Sequence, residues 1–429
     1  MTNHWTRRQA LKTAIGGATA LLASRPTWAA SKALNILCHR VHQTSLTDGP
    51  AGDQTTAWRG SNDADCAWTT FDTNPLQDRL FREASLPQTD FGVGFVVNSR
   101  ATPSAASLLL QLDAYQSKSA IEDFADIAPG LVSAMRFDGK LAAIPFRHAT
   151  QALFYNEALL EERGIKVPPS TLEELVDQAK RLTFTSAAGT QVTGMILASD
   201  LSVFPVTFAR AFGGDFISGD LKLLPDPAAM EKALTILQDM FKAGALPRSY
   251  ATTKNDDQVT WLQQGRAAFS VLPFARHAQL NRADQSKYPG KFKAIEFPIS
   301  QALKGRVAMS SVTEFWAMAI LSNARDKDLA WSFIRAMSSK ATTVGAARNG
   351  NGPVRVSTYS DASFVKDQPF AAVEARALAN ARVPLPAFPE AARAQTIFLE
   401  EVQLTVIGQK TPKAAVAAIQ ERVAPLLKA

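Results

Sequence analysis

The chain has 429 residues, of which 46% are hydrophobic and 20% charged, a composition typical of globular rather than disordered proteins. Its formal charge is +7. Four of the basic residues lie in the first 29 positions, where there is no acidic residue, so the remainder carries only +3. This small surplus does not favour a nucleic-acid partner. About four hundred residues exceed one core of ordinary size, which predicts two domains.

The first predicted element is an export signal over residues 1–29. An arginine pair at positions 7 and 8 precedes the apolar run Ala14–Ala23, which is too short to span a bilayer. Thr27–Ala29 then forms a small-x-small cleavage site, and the arginine pair resembles the twin-arginine signal. The alternative is a buried N-terminal helix, but such helices seldom combine Arg-Arg, Gly-Gly and Arg-Pro. We therefore expect an exported protein with a mature chain that begins near residue 30.

The chain has two cysteines, Cys38 and Cys66. In an oxidising compartment they could form a disulfide. The alternative is one buried thiol and one thiol near the surface, and the spacing leaves both open, because a disulfide depends on the distance between the Cα atoms. No C-x-x-C motif is present, so we expect no metal site on these residues.

Beyond the signal, short apolar runs alternate with longer helical patterns, which favours α/β architecture with parallel-type sheets. The predicted strands are Leu34–Cys38, Phe91–Val97, Ala267–Leu272, Phe292–Ile299 and Phe315–Leu321. Predicted helix starts are a capping box at Ser170–Glu173, Asp226-Pro227 and Thr411-Pro412. The polar stretch Thr44–Cys66 follows neither pattern.

Residues 137–183 carry the most specific motifs of the chain. Gly139–Pro145, Tyr155-Asn156 and Gly164–Glu173 follow one another as in the carbohydrate-binding solute receptors of ABC importers, the group that includes maltose-binding protein, and here the chain resembles that family. Further segments match family landmarks in the same order: Ala211–Asp215, Phe241–Pro247, Leu262–Val271, Ala330–Ser338 and Gly352–Arg355. The resemblance extends from about Leu34 to Leu427.

The resemblance implies an α/β protein with the two-lobe periplasmic-binding-protein fold (type II) and a hinged interlobe cleft. The lobes would close over a small solute and present it to the membrane permease, a two-state equilibrium biased by the ligand. The implied hinges are Ala149–Ala152, Met309–Glu314 and Val354–Thr358. The N-terminal lobe would then hold residues 30–149 and 312–354, and the C-terminal lobe residues 150–311 and 355–429.

Sugar and polyol sites use aromatic faces and planar polar groups, and such residues follow several predicted strands. The candidate ligand-binding residues are Arg40, His42, Phe71, Asp72, Asn98, Arg147, His148, Phe274, Arg276, Glu314 and Trp316. The resemblance places Phe274 where the family has a stacking tryptophan and Asn98 where it has a hydroxyl binder. Phe274 could instead plug the core under a loop, and His148 could be a structural hydrogen bonder.

Bulky residues at 314–316 depart from the family, because many relatives have small residues there. They suggest a smaller or differently shaped ligand, with Glu314 either binding hydroxyls or neutralising Arg147. The resemblance also maps Arg355 to a family arginine that would form a structural ion pair between the lobes rather than contact the ligand.

The main functional prediction is a periplasmic, monomeric substrate-binding component of an ABC importer, without catalysis, cofactor or metal. Its partners would be the permease subunits and a small solute: a sugar, a sugar acid or a polyol. An alternative is that the same fold binds a carboxylate or other organic anion through Arg40, Arg147 and Arg276. An exported cofactor-dependent enzyme is disfavoured, because the chain has no H-E-x-x-H, G-x-S-x-G, P-loop or G-x-G-x-x-G motif.

Overall fold

The computed structural model describes residues 32–427. The predicted export signal and the start of the mature chain lie outside the described residues. Within that range, no helix combines the length and the apolar character needed to cross a membrane.

The strands lie mostly where the apolar runs predict them. In chain order they are β1 (Lys32–Cys38), β2 (Ala64–Thr70), β3 (Phe91–Val97), β4 (Arg136–Phe137), β5 (Lys140–Leu141), β6 (Ile144–His148), β7 (Gln151–Asn156), β8 (Phe184–Thr185), β9 (Gln191–Ile196), β10 (Ala267–Pro273), β11 (Phe292–Ile295) and β12 (Phe315–Ile320). The strand predicted over Phe292–Ile299 ends four residues early, at Ile295, and the part that is not a strand includes Pro298, which has no N–H to donate to a ladder.

Helices fill the connections between the strands. They are α1 (Arg40–Thr47), α2 (Thr56–Asn62), α3 (Thr73–Ala84), α4 (Pro103–Ala106), α5 (Asp113–Lys118), α6 (Pro129–Ser133), α7 (Glu157–Glu162), α8 (Leu172–Arg181), α9 (Val203–Ala211), α10 (Pro227–Lys242), α11 (Asn255–Gln263), α12 (His277–Leu280), α13 (Lys327–Met337), α14 (Lys340–Arg348), α15 (Ala362–Asp367), α16 (Ala371–Ala379), α17 (Ala391–Val406) and α18 (Pro412–Val423). Short 3₁₀ turns occur at Asn98–Arg100, Phe124–Asp126, Tyr250–Thr252, Phe274–Arg276, Val356–Ser360 and Ala424–Leu427.

The predicted helix starts carry side-chain caps. Asp226 and Thr411 each accept a hydrogen bond from the backbone N–H three residues on, which satisfies a free donor of the first turn. The capping box at α8 is shifted by one residue from the prediction. Thr171 is the cap, accepting from the N–H of Glu174 at 3.2 Å, and the Glu174 carboxylate accepts from the N–H of Ser170 at 2.7 Å.

Two five-stranded sheets organise the chain into two lobes. The first sheet has the order β2-β1-β3-β12-β6 and the second the order β11-β7-β10-β9-β8. The first is parallel except for β12, while β7 and β8 run against their neighbours in the second. Both sheets are therefore mixed rather than purely parallel, with helices packed against them as in α/β proteins.

Each sheet has its own hydrophobic core. Ile36, Phe95 and Phe333 belong to the core of the first lobe, whereas Phe208 and Phe269 belong to that of the second. A smaller cluster covers the second sheet between α11, α12 and α16. These separate cores indicate two units that can move against each other as bodies.

Two hinge segments run side by side between the lobes. The chain leaves the first sheet at His148 and enters the second at Gln151. It returns between Val312, in the second core, and Phe315, in the first. The N–H of Ala149 donates to the carbonyl oxygen of Glu314 at 2.7 Å, which ties the two segments together.

The third passage between the lobes lies later than the resemblance implied, and the hinge predicted at Val354–Thr358 is wrong. Tyr359 and Phe364 are buried in the first core, so the lobe boundary after residue 354 is wrong as well. The chain first packs against the second sheet at Phe370, in the smaller cluster, and enters the main core of the second lobe at Leu385. Just before that, the N–H of Thr313 donates to the carbonyl of Arg382 at 3.0 Å, so the third passage runs beside the second.

The two cysteines are not linked to each other. Cys66 pairs with Leu34 in the ladder between β1 and β2, whereas Cys38 pairs with Thr70, four residues further along. At about 3.3 Å per residue, this offset separates them by about 13 Å, well beyond the span of a disulfide. Burial raises the pKa of each thiol to about 12, which keeps the thiols protonated and unreactive.

The contact of α8 with β9 supplies a first testable prediction. Gly194 faces α8 so closely that an added Cβ would overlap the carbonyl oxygen of Ala179. We expect Gly194→Ala to lower the free energy of unfolding by about 1–3 kcal/mol, because backbone must move to relieve the overlap. Urea denaturation measures this, with Gly130→Ala as the control, since an added Cβ there meets no atom within 4 Å. Equal effects of the two substitutions would contradict the close packing.

Candidate functional site

A cleft of about 400 Å³ lies between the two lobes. In the first sheet the carboxyl ends of the parallel strands β1, β2, β3 and β6 meet the amino end of β12 at one edge. In the second sheet the carboxyl ends of β9 and β10 meet the amino end of β7. Loops at such edges are where α/β proteins bind ligands, and here the two edges face each other.

Both lobes contribute polar and aromatic side chains to the cleft. The first provides His39, Val41, Asp72, Thr73, Arg147, Glu314 and Trp316, and the second provides Gln151, Leu201, Val203, Phe204, Asn255, Asp256, Pro273 and Arg276, with Ala149 on the hinge. The helices α3, α9 and α11 all begin in this set, so their free N–H groups lie near the cleft. Such helix starts favour oxygen-rich or negatively charged ligand groups.

The floor of the cleft on the first lobe joins one aromatic ring to two opposite charges. Arg147 on β6 pairs directly with Trp316 on β12, which places both side chains on the same face of the sheet. Glu314, two residues before Trp316, lines the same cleft. An indole flanked by a guanidinium and a carboxylate can stack on a sugar ring while hydrogen-bonding its hydroxyl groups.

The Arg147 side chain has no hydrogen bond or ion pair with any residue of 32–427. Burial lowers the pKa of its guanidinium to about 10, and nearby Arg276 acts in the same direction while Glu374 opposes it. Burial also raises the pKa of the Glu314 carboxyl. Glu314 lies outside ion-pair distance of Arg147 in the described part of the chain, so the prediction that it neutralises Arg147 is not met.

Arg276 faces Arg147 from the second lobe. One of its terminal nitrogens donates to the side-chain oxygen of Gln279 at 2.8 Å, and the other lies 3.5 Å from the carboxylate of Asp256. A neighbouring cavity of about 250 Å³ is lined by both arginines and extends along α1 to Gly350. The arginines therefore stand where the two parts of the cleft meet.

His42, predicted as a ligand contact, instead supports the floor from below. Its ring is fully buried, stacks on Phe95 with centroids 4.5 Å apart, and lies 4.8 Å from the ring of Trp316. Its Nδ1 accepts a hydrogen bond from the N–H of His39 at 3.3 Å. Burial, followed by Arg147, holds the pKa of His42 well below its usual range, so the imidazole stays neutral.

Asn98, His148 and Phe274 are also structural. The side-chain oxygen of Asn98 accepts from the N–H of Phe315 at 2.8 Å, which fixes β12 to the end of β3. His148 is buried at the hinge and shares a 2.7 Å hydrogen bond with the Tyr359 hydroxyl. Phe274 is fully buried and stacks on Phe370, so the prediction that it stacks on the ligand is wrong.

The remaining predicted residues lie at or beyond the rim. Asp72 is the residue just before α3 and makes no side-chain capping hydrogen bond; its side chain is 96% exposed and lines the cleft. Phe71 and Arg40 are exposed beside the cleft without lining it. His39, which is not among the predicted residues, lines the cleft, and its Nε2 lies 3.9 Å from the Asp72 carboxylate.

Comparisons with known proteins agree with the geometry. A model of the bacterial extracellular solute-binding protein family matches residues 96–344, more than half of the chain. A mannitol-binding protein of Pseudomonas aeruginosa is 24% identical over 322 residues, 72% of this chain and 71% of the relative. A binding protein of Brucella abortus is 22% identical over 201 residues, and the chain spans about half the length (46%) of that relative.

A solved structure establishes the fold class. The maltose complex of Thermotoga maritima MalE3 superposes with a TM-score of 0.77 at 20% sequence identity, covering 92% of this chain and 99% of that protein. The two-lobe periplasmic-binding-protein fold is therefore confirmed, as is the resemblance to sugar-binding ABC solute receptors.

Proposed function

The chain belongs to the bacterial extracellular solute-binding proteins, and from that premise we propose that it is the substrate-binding component of an ABC importer. It captures a sugar, a sugar acid or a polyol in the interlobe cleft and delivers it to the permease. It acts as a monomer in the periplasm, without catalysis, cofactor, metal or nucleic-acid partner. The observation that carries the proposal is the cleft in which Trp316, Arg147 and Glu314 of one lobe face Gln151 and Arg276 of the other.

Binding and lobe closure are coupled through the hinge. Glu314 lies next to the second passage of the chain, and Gln151 begins β7 directly after the first. The N–H of Gln151 donates to the carbonyl of Val312 at 2.9 Å, two residues before Glu314. Gln151 and Glu314 therefore both belong to the paired hinge segments. A solute that binds residues of both lobes stabilises the closed state, and its differential affinity sets the population shift.

Names of related proteins support the ligand class. One relative is a mannitol-binding protein, and the superposed structure holds maltose. Both ligands are rich in hydroxyl groups, which match the planar polar groups and the indole of this cleft.

Titration calorimetry and ligand-dependent melting test the proposal. The panel contains neutral sugars, polyols and sugar acids, among them D-mannitol, maltose and D-gluconate. A compound at a hundred times its Kd is expected to add about 2.7 kcal/mol to the free energy of unfolding. Failure of every compound to raise the melting temperature, or chemical conversion of a bound compound, would contradict the proposal.

Trp316→Ala is expected to weaken binding of the compound that binds best by about tenfold to a hundredfold, because the ligand loses its stacking surface. Trp316→Phe keeps an aromatic face and should retain most of the affinity. Trp261, which stacks under Arg266 and does not line the cleft, provides the control variant Trp261→Ala. Calorimetric Kd values measure the difference, and an unchanged Kd for Trp316→Ala would exclude Trp316 from the site.

A further inference from the structure

We propose that the solute carries a carboxylate, and that this carboxylate bridges Arg147 of the first lobe and Arg276 of the second. The inference rests on the proposed function and narrows its ligand class to acidic sugars and acidic polyols, such as aldonates and uronates.

The first argument is geometric. The two guanidinium groups come from opposite lobes, and both line both parts of the cleft. Arg147 has no counter-ion within ion-pair distance among residues 32–427. Besides its hydrogen bond to Gln279, the Arg276 side chain has one counter-ion among residues 32–427, the Asp256 carboxylate at 3.5 Å, which is 91% exposed to solvent. Ion pairs with an exposed carboxylate contribute little free energy, so the Arg276 guanidinium remains available to bind a carboxylate of the ligand.

The second argument is electrostatic. Burial lowers the pKa of Arg147, and Arg276 lowers it further. Burial also lowers the pKa of His39, where Asp72 opposes this effect and Arg147, Arg40 and Arg276 add to it. In the part of the cleft along α1, both arginines belong to the lining and none of the lining residues is acidic, so positive charge is concentrated there. A carboxylate between the two guanidinium groups removes their mutual repulsion, which is strongest when the lobes are closed.

The third argument concerns the rest of the ligand. Glu314 lines the cleft outside ion-pair distance of both arginines, and its side chain has no hydrogen-bond or ion-pair partner in the described part of the chain. Its carboxylate can accept hydrogen bonds from hydroxyl groups. With Trp316 on the same floor, a polyhydroxylated chain or ring over the indole would extend from the arginines toward Glu314.

A singly charged carboxylate fits this site better than a phosphate ester. Glu374 lies close enough to Arg147 to influence its pKa, and Asp256 contacts Arg276. The Asp256 carboxylate would repel a dianion more strongly than a monoanion, whereas burial raises the pKa of Glu374 to about 8 and leaves it mostly uncharged near pH 7.

The test is calorimetry on the purified protein with matched pairs of compounds. D-Gluconate is compared with D-glucitol, D-glucuronate with D-glucose, and D-glucose 6-phosphate serves as the phosphate ester. We expect at least one acid to bind at least tenfold more tightly than its neutral counterpart, with an affinity that falls between about 50 and about 300 mM salt.

Arg147→Gln and Arg276→Gln are each expected to weaken binding of the acid at least tenfold and to weaken binding of its neutral counterpart much less, so that the preference for the acid is lost. Arg325→Gln is the matched control, since Arg325 is exposed at the far end of β12 and pairs with Asp90. Melting curves of each variant verify folding.

Each outcome decides the proposal. Tighter binding of the neutral compounds would overturn the carboxylate assignment while leaving the proposed function standing. Binding of the phosphate ester alone would overturn it in favour of a dianion site. If no compound of any class binds, both the inference and the proposed function fail.

Discussion

Replacing Arg355 by methionine is expected to lower the free energy of unfolding by about 3–5 kcal/mol, because it would leave several buried polar groups without partners. Arg355 is fully buried. It donates to the carbonyl oxygens of Ser338 at 2.6 and 2.8 Å and Asp123 at 2.9 Å, and its charge pairs with Asp126 at 3.2 Å. Methionine fills a similar volume but satisfies none of these acceptors.

Urea denaturation measures the loss, with Arg325→Met as the control. Arg325 is 65% exposed and pairs with Asp90 on the surface, so its replacement should change stability by less than about 1 kcal/mol. A similar small effect at both positions would show that the buried arginine does not anchor the fold.

Arg355 was predicted to form an ion pair between the lobes, but Asp126 and Ser338 both belong to the first lobe, so this prediction is wrong and the pair acts within one lobe.

Glu374→Gln is expected to stabilise the protein by about 2–5 kcal/mol at pH 8 and to have little effect near pH 4.5. Glu374 is 3% exposed, and burial raises the pKa of its carboxyl to about 8, although Arg147 acts in the opposite direction. The unfolded chain releases this proton near pH 4.5. Below pH 4.5 the carboxyl is protonated in both states and costs no stability. As the pH rises from 4.5 to 8, the unfolded chain ionises while the folded chain does not, so the free energy of unfolding falls. The uncharged glutamine avoids this fall.

The neighbouring His148 also makes the free energy of unfolding depend on pH, but in a range below that in which Glu374 has its full effect. Its Nε2 lies 3.7 Å from the Glu374 carboxylate, and burial, followed by Arg147, lowers its pKa to about 3. The unfolded chain binds this proton below pH 6.5 while the folded chain does not, so His148 costs stability as the pH falls from 6.5 to 3. The two effects oppose each other between pH 4.5 and 6.5, whereas between pH 6.5 and 8 His148 is neutral in both states and Glu374 acts without it.

Urea denaturation at several pH values tests this account. The unsubstituted protein should lose stability between pH 6.5 and 8, and Glu374→Gln should abolish that loss. Glu421→Gln, on the exposed face of α18, should leave the pH dependence unchanged. A loss that persists in Glu374→Gln would assign it to another group.

Local patterns predict much of this fold. The strands β1, β3, β10 and β12 follow from apolar runs, and Asp226 and Thr411 follow from capping rules. Such features depend on neighbours a few residues away. The order of the landmarks also predicts two lobes, because the family that carries them has that fold.

The errors concern contacts between distant parts of the chain. Phe274 lies directly after a strand, where ligand contacts are common, but it is buried by Phe370, almost a hundred residues later. The stretch after Val354 continues to pack in the first core through Tyr359 and Phe364, which no local pattern indicates. Thr44–Cys66, without pattern in the sequence, contains α2, ordered by packing of Trp58 against Phe333.

The sequence predicts only part of the candidate site, because strand ends are local features whereas contacts between distant residues are not. Glu314 and Trp316 line the cleft at the start of β12 and Arg147 at the end of β6, on one edge of the first sheet. Arg276 follows β10 on the facing edge of the second sheet. His39 comes just before two predicted ligand contacts, Arg40 and His42. Helix α1 begins at Arg40, and neither Arg40 nor His42 lines the cleft. Asn255 and Asp256 begin α11, and a search for helix starts could have found them.

The central claim is that two lobes close on a captured solute, and small-angle X-ray scattering tests it most directly. The radius of gyration is measured without ligand and with a saturating amount of the compound that most raises the melting temperature. The account predicts a smaller radius with the compound and no change in a variant that no longer binds it. A compound that binds tightly but leaves the radius of gyration unchanged would contradict closure of the lobes.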